Sequence, residues 1–201
     1  EDNCESLGAT FKGQSTGTFG VMGSFSFFYS HHISTMEGGM VLTNNEELYC
    51  LMLSIRAHGW TRDLPDKQKL YNQGERDPFA APFNFILPGY NLRPLEMSGA
   101  IGIEQLRKLP SIIKERRKNG AMFQSKMKEH PKFMIQQEIG ESSWFGFSLI
   151  LQKEFENQRE IFANRLENLG FECRPIVAGN FVKNKVIDYF DYEVHGELKN
   201  A

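Results

Sequence analysis

Apolar side chains fall in short runs on either side of one polar stretch: Phe25, Phe27, Phe28 and Tyr29 before it, Met40, Val41 and Leu42 after it. Runs of this length and aromatic content predict two buried strands, Ser24–Tyr29 and Met40–Thr43. Ahead of them, Lys12-Gly13 and Thr16-Gly17 read as turns. The period then changes. Leu48, Leu51, Met52 and Ile55 recur at helical spacing, with Thr43 as N-cap, Glu46 as its capping-box partner and His58-Gly59 as the stop. From Trp60 to Phe83 no period is visible, and the Asp, Pro, Asn and Gly content predicts a long loop, either one that serves a partner or substrate or simple disorder. A turn at Leu87–Pro94 leads into a helix over Leu95–Leu109, with Ala100, Ile101, Ile103 and Leu106 as its apolar side and Pro110 as its end. A second, charged helix runs from Ser111 to Glu129 and packs through Ile112, Ile113, Met122, Phe123 and Met127.

Beyond Pro131 the pattern becomes strand, helix, strand. Phe133–Glu138 and Trp144–Leu151 predict strands, and Phe155–Leu169 predicts an amphipathic helix carried by Ile161, Phe162, Leu166 and Leu169 and stopped by Gly170. Phe171–Val177 predicts a further strand. Elements segregated in this way indicate a small α+β domain from residue 131 to 201, after a larger part covering 1–130.

Composition narrows the classes. The 201 residues carry a formal net charge of -2, so no basic field attracts nucleic acid, and Lys114-Glu115-Arg116-Arg117-Lys118 solvates a helix face. No apolar run approaches the ~20 residues that cross a bilayer. Cys4, Cys50 and Cys173 are odd in number and scattered, which indicates neither a disulfide framework nor a metal knuckle, and a reducing, cytoplasmic setting is expected. The abrupt start at Glu1-Asp2 and the abrupt end suggest a fragment of a longer protein.

The polar stretch between the first two strands holds His31, His32, the hydroxyls of Ser30, Ser34 and Thr35, Glu37 and the pair Gly38-Gly39. Such a set makes either a polar turn with surface histidines or a site on a rigid scaffold. A metal site fails on spacing, because no Cys or carboxylate cluster completes a ligand set around the two imidazoles. His58, His130 and His195 read as ordinary surface or helix-end residues.

Three segments carry a resemblance. Ser24-Phe25-Ser26-Phe27 followed by Glu37-Gly38-Gly39 resembles the S-F-S-F-x-x-x-K-x-x-x-x-x-E-G-G loop of the DegT-like sugar aminotransferases, pyridoxal-phosphate enzymes with the aspartate aminotransferase fold. Glu1-Asp2-Asn3-Cys4-Glu5-Ser6-Leu7-Gly8-Ala9 resembles the family's E-D-x-x-Q-x-x-G-A, with Glu5 at the glutamine position. Gly89-Tyr90-Asn91-Leu92-Arg93 resembles a third family segment. The loop departs from the pattern at one place: His31 stands where the family has the lysine that binds the cofactor covalently. Within the family, histidine at this place is similar to the sugar 3-dehydratases.

The resemblance implies an α/β fold: part of a type-I large domain, with a mixed, mostly parallel sheet and flanking helices, plus the small C-terminal α+β domain. It implies a dehydratase that uses pyridoxal 5′-phosphate and pyridoxamine 5′-phosphate, with L-glutamate as amino donor, to remove the 3-hydroxyl of a nucleotide-linked 4-keto-6-deoxy sugar. A GDP-linked mannose derivative on the path to GDP-colitose is the first candidate; a CDP-linked glucose derivative and a non-catalytic relative are the alternatives. His31 becomes the catalytic base, since imidazole cannot hold the cofactor as lysine does but accepts and donates protons near its ordinary pKa of ~6.5. Asp2 pairs with the cofactor's ring nitrogen (a lone aspartate there would otherwise be a helix cap), and Glu5, Ser26 and Asn91 complete the cofactor contacts. Asn91 reaches the neighbouring subunit, which implies a homodimer with shared sites. Ser30, Arg62, Phe83 and Arg93 are implied at the nucleotide-sugar, with His32 close by.

Overall fold

The computed structural model describes residues 1–65, 79–80, 83–176 and 179–198. Most of the long loop expected between Trp60 and Phe83, and the Val177 end of the last expected strand, lie outside the described residues. The chain forms two compact units, Glu1–Ser125 with Gln137–Phe147, and Lys126–Gln136 with Ser148–Ala201.

The first unit opens with a hairpin, β1 (Thr10–Phe11) and β2 (Gln14–Ser15), turned by Lys12 and Gly13 at positive φ. β3 (Gly23–Ser26) and β4 (Gly39–Leu42) then pair antiparallel, Ser24 opposite Val41 and Ser26 opposite Gly39. Both strands were legible as apolar runs, but β4 is not the buried strand expected, since Met40 and Val41 are 40% and 49% exposed, and β3 stops at Ser26. Beyond it the Phe27 amide bonds across to Gly38, and Thr35 bonds back to Phe27, closing a loop over the strand end. Among the described residues all three ladders are antiparallel, and parallel pairing is confined to a bridge between Asp2 and Ser24. The mostly parallel sheet is therefore represented here by that bridge alone.

α1 spans Glu46–Ile55, and its cap differs from the expected one. Asn45 is the N-cap, its side chain accepting from the Leu48 amide at 3.1 Å. Thr43 is unavailable because its hydroxyl donates to the Val21 carbonyl at 2.8 Å and accepts from the Asn45 amide. The helix also stops three residues before His58, which, like Gly59, has positive φ.

One helix, α2 (Glu96–Met127), replaces the two expected, with Pro110 inside it. An internal proline removes an amide donor and crowds the carbonyl four residues earlier, here Leu106. Leu106 and Pro110 are exposed, so water reaches that carbonyl, while contacts on both sides of the break hold the axis. Before it, Ser98, Gly102 and Gln105 meet the 34–35 segment. After it, Arg116 and Arg117 bond to carbonyls of 142–145, and Arg117 also to Gly8. The expected apolar side of this helix is not the packed one: Ile103 and Leu106 are 57% and 60% exposed.

The expected strand over Trp144–Leu151 forms only at its end, as β6 (Leu149–Leu151). Trp144 has φ 50 and is buried against Gly120, and Arg116 takes the Trp144 and Phe145 carbonyls that a ladder would have used. In the second unit β6 pairs antiparallel with β5 (Phe133–Ile135), which ends sooner than expected because the Gln136 side chain accepts the Ser148 amide. A 3-10 turn over Lys153–Gln158 runs into α3 (Arg159–Asn168), which ends at Gly170 as expected. Phe162 packs edge-on to Phe133 at 5.0 Å, whereas Ile161 and Leu169 face solvent. Residues 171–176 do not form the expected strand: the Phe171 amide bonds back to Leu166 to finish the helix, and no neighbouring strand is present among the described residues.

Candidate active site

The site starts from the Asp2–Ser24 bridge. Ser24 accepts from the Asn3 amide at 2.8 Å and donates its own amide to Glu1 at 2.9 Å. Residues paired across a bridge share a face, and every second strand residue repeats it. Asp2, Ser24 and Ser26 therefore line one face, and Phe25 points to the other, buried against Gly17. The Glu1 carboxylate pins this arrangement by accepting amides of Gly17 at 2.8 Å, Phe19 at 2.6 Å and Gly20 at 2.5 Å. Asp2 is exposed; hydrogen bonds from the Cys4 thiol and amide hold its carboxyl below the usual range, and Asp2 in turn pushes the Cys4 thiol up. Asp2 is thus an anion at neutral pH. Glu5 is exposed on the turn that follows.

The loop from Phe27 to Gly38 leaves the end of that face. Ser26 Oγ accepts the Phe28 amide at 3.3 Å, and the His31 amide donates to Phe28 at 3.0 Å. Gly38-Gly39 is required at the return: Gly38 has φ 120, and a Cβ on Gly39 would stand 2.6 Å from the Phe25 carbonyl. His31 is half-buried, its ring 5.1 Å from Phe145 and 6.2 Å from Phe28. Among the described residues its buried Nδ1 has no hydrogen-bond partner, and the same is true of His32 Nδ1, so this feature does not separate the two imidazoles.

His32 has a different role from its neighbour. It is 3% exposed, its Nε2 lies 3.2 Å from the Ser143 carbonyl, and its ring also faces Phe145 at 6.1 Å. Burial first, then the Arg116 charge, pushes its pKa down to about 4. Neutral His32 therefore donates through Nε2 and ties the loop to the 142–145 segment. Among the described residues no cluster of His, Cys, Asp and Glu is placed to hold a metal ion.

Three of the four expected sugar-nucleotide residues gather around an indole that sequence reasoning passed over. The Arg62 guanidinium carbon lies 4.2 Å from the Trp60 ring centroid and 5.6 Å from that of Phe83. Arg93 lies 5.8 Å from the same indole. The Phe85 ring lies tilted against Trp60 at 5.3 Å, and His58 meets it edge-on at 5.7 Å. Each cation–π contact is worth ~0.5–1 kcal/mol when exposed and about 2 when desolvated. The cluster exists because the end of α1 pairs with the returning chain: Ala57 with Asn91, Trp60 with Phe85, and the His58 amide on the Tyr90 carbonyl at 2.8 Å.

The structure thus brings Asp2 and Ser26 together, with His31 on the loop that follows, and separately gathers Arg62, Phe83 and Arg93. Ser30 and Asn91 are exposed on their own stretches of chain. Missed were Trp60, Phe145 and Ser24. The arginine two residues after Trp60 was a usable signal for the first; Phe145 was hidden in a segment that reads as a strand.

Residues 1–201 match the DegT/DnrJ/EryC1/StrS aminotransferase family throughout, and the chain belongs to it. Its fold is accordingly the α/β fold of the type-I pyridoxal-phosphate enzymes. The chain is 59% identical, over 100% of its length and 52% of the relative's, to GDP-4-keto-6-deoxy-D-mannose 3-dehydratase of Escherichia coli O55:H7. With the Yersinia pseudotuberculosis enzyme of the same name it shares 58% identity, again over 100% of this chain and 51% of the other. A crystal structure of GDP-4-keto-6-deoxymannose-3-dehydratase with a trapped PLP–glutamate geminal diamine superimposes with a TM-score of 0.91 at 58% identity, covering 97% of this chain and 51% of that one. The chain therefore spans about half the length of these relatives.

Proposed function

We propose that this chain is the part of a sugar 3-dehydratase that carries its proton-transfer site, acting with pyridoxal and pyridoxamine phosphate on GDP-4-keto-6-deoxy-D-mannose, a step toward GDP-colitose and O-antigen assembly. The observation that carries this reading is His31, half-buried against Phe145 at the place of the family's lysine, on the loop leading from the face of Asp2, Ser24 and Ser26. That face fits the cofactor: an ionised carboxylate and two hydroxyls lie side by side, and Gly39 opposite Ser26 adds no side chain. When bound, the cofactor supplies an amine for the sugar's 4-keto group and a conjugated ring that stabilises negative charge beside it. Asp2 keeps the ring nitrogen protonated, with Glu5 beside it, and Ser26 bonds the phosphate. His31 takes the proton from the cofactor's 4′ carbon and delivers one to the departing 3-hydroxyl. L-Glutamate restores the amine, in keeping with the glutamate adduct of the similar enzyme.

Ser30, Arg62, Phe83 and Arg93 bind the nucleotide-sugar, the arginines through its diphosphate. Asn91 serves the site of a neighbouring subunit in a homodimer. Residues 1–130 belong to the cofactor-binding large domain and 131–201 to a small C-terminal domain. No helix among the described residues is long and apolar enough to cross a membrane; we place the protein in the cytoplasm. The test is His31→Asn in the intact protein, assayed with GDP- and CDP-linked 4-keto sugars. Loss of a general base predicts a fall of at least ~10²-fold in dehydration while cofactor absorbance is kept. Near wild-type turnover would remove His31 from the chemistry.

A further inference from the structure

We infer that Trp60 is a positioning residue for the anionic part of the substrate, holding Arg62 and Arg93 in one geometry through its ring face. The inference rests on the proposed nucleotide-sugar site and goes beyond it by naming what builds that site. Arg62 is held between two rings, Trp60 at 4.2 Å and Phe83 at 5.6 Å, and Arg93 approaches the same indole at 5.8 Å. Two like charges on one ring repel each other, and among the described residues no carboxylate forms an ion pair with either guanidinium. The negative face of the indole is what offsets that repulsion before substrate arrives.

The indole itself carries a cost at this place. Among the described residues its buried Nε1–H has no acceptor, a penalty that phenylalanine would avoid. What tryptophan adds over phenylalanine is therefore the larger, more electron-rich face. That face is fixed by its neighbours: the Phe85 ring lies tilted against it at 5.3 Å, a backbone bridge joins Trp60 to Phe85, and the Thr61 amide bonds to Asn84 at 3.1 Å. Arginine forks arranged in advance lose less freedom on meeting a diphosphate, so the gain is one of preorganisation. The ligand class is a phosphoanhydride dianion joined to a nucleoside.

The experiment compares Trp60→Phe, Trp60→Leu and Arg62→Gln in the intact holoenzyme, reading KM and kcat for the GDP-linked 4-keto sugar and competitive inhibition by inorganic pyrophosphate. Trp60→Leu should raise KM and the pyrophosphate inhibition constant about tenfold, more than it changes kcat. Trp60→Phe should recover part of that loss. Because both residues act through one contact, Trp60→Leu combined with Arg62→Gln should cost less than the product of the single effects. Should Trp60→Leu not fold, Trp60→Phe with Arg62→Gln must show the same shortfall. Unchanged KM and inhibition in the Trp60 variants, or full multiplicativity, overturns the positioning role while leaving the arginine site standing. If Arg62→Gln itself changes neither constant, the substrate-site reading fails and this inference fails with it.

Discussion

His31 and His32 are chain neighbours whose rings both face Phe145, yet their surroundings assign them opposite work. Each has an unpartnered Nδ1 among the described residues, but His31 is half-buried on the loop that leaves the proposed cofactor face, whereas His32 is 3% exposed and uses Nε2 to fasten the loop to Ser143. The lowered pKa of His32 makes that fastening sensitive to acid. A histidine depressed to about 4 in the fold, against ~6.5 unfolded, gives its full stabilisation above pH 6.5 and loses it as pH falls toward 4. The loss should reach about 2 kcal/mol by pH 5. Urea unfolding at pH 7.5 and 5 should show it, and His32→Gln should flatten that part of the profile. An equally steep profile in the variant would assign the acid sensitivity to other groups. Sequence alone could say that one imidazole replaced a lysine. It could not separate the two neighbours, because Ser143 and Arg116 lie about a hundred residues away.

Among the elements, local signals were legible where the chain supplies both sides of an interaction. The β3–β4 apolar runs, the Gly38-Gly39 return, the helical spacing of α1 and the Gly170 stop are of this kind. Failures came where a distant contact overruled a local preference. Pro110 stays inside α2 because the helix is held on both sides of it, and Trp144 leaves the strand region because Arg116 and Gly120 claim its carbonyl and its ring. A third element had no local sign: the strip where residues 55–61 meet 84–92, which carries Trp60 and Asn91, with Arg62 just beyond its end. Gly59 has φ 82, and a Cβ there would stand 1.7 Å from the Leu87 carbonyl. Gly59→Ala should therefore cost more than ~1 kcal/mol and loosen this strip. The expected result is a lower unfolding midpoint together with a raised KM for the nucleotide-sugar. A variant unchanged in both would mean that the close approach is not maintained in solution.

At the scale of the whole molecule, the chain spans about half the length of the relatives it matches. Tyr90, Leu92, Leu95 and Met97 are each more than 60% exposed along the entry to α2. Two of the three family segments encode constraints that only a few residue types meet: an anionic residue at Asp2 in one, and in the other a hydroxyl at the end of β3 and a glycine pair under a carbonyl. The two sets of candidate site residues were named by resemblance. Their grouping, one on the β3 face and one around Trp60, came only from the folded backbone. The central claim is that residue 31 faces the cofactor where the family places its lysine. His31→Lys in the intact protein tests it most directly: borohydride reduction followed by peptide mass analysis should find the cofactor attached to residue 31. Dehydration should fall at the same time, because an ammonium with an ordinary pKa of ~10.4 is a poor base near neutrality. Cofactor bound in that variant with residue 31 left unmodified would contradict the account.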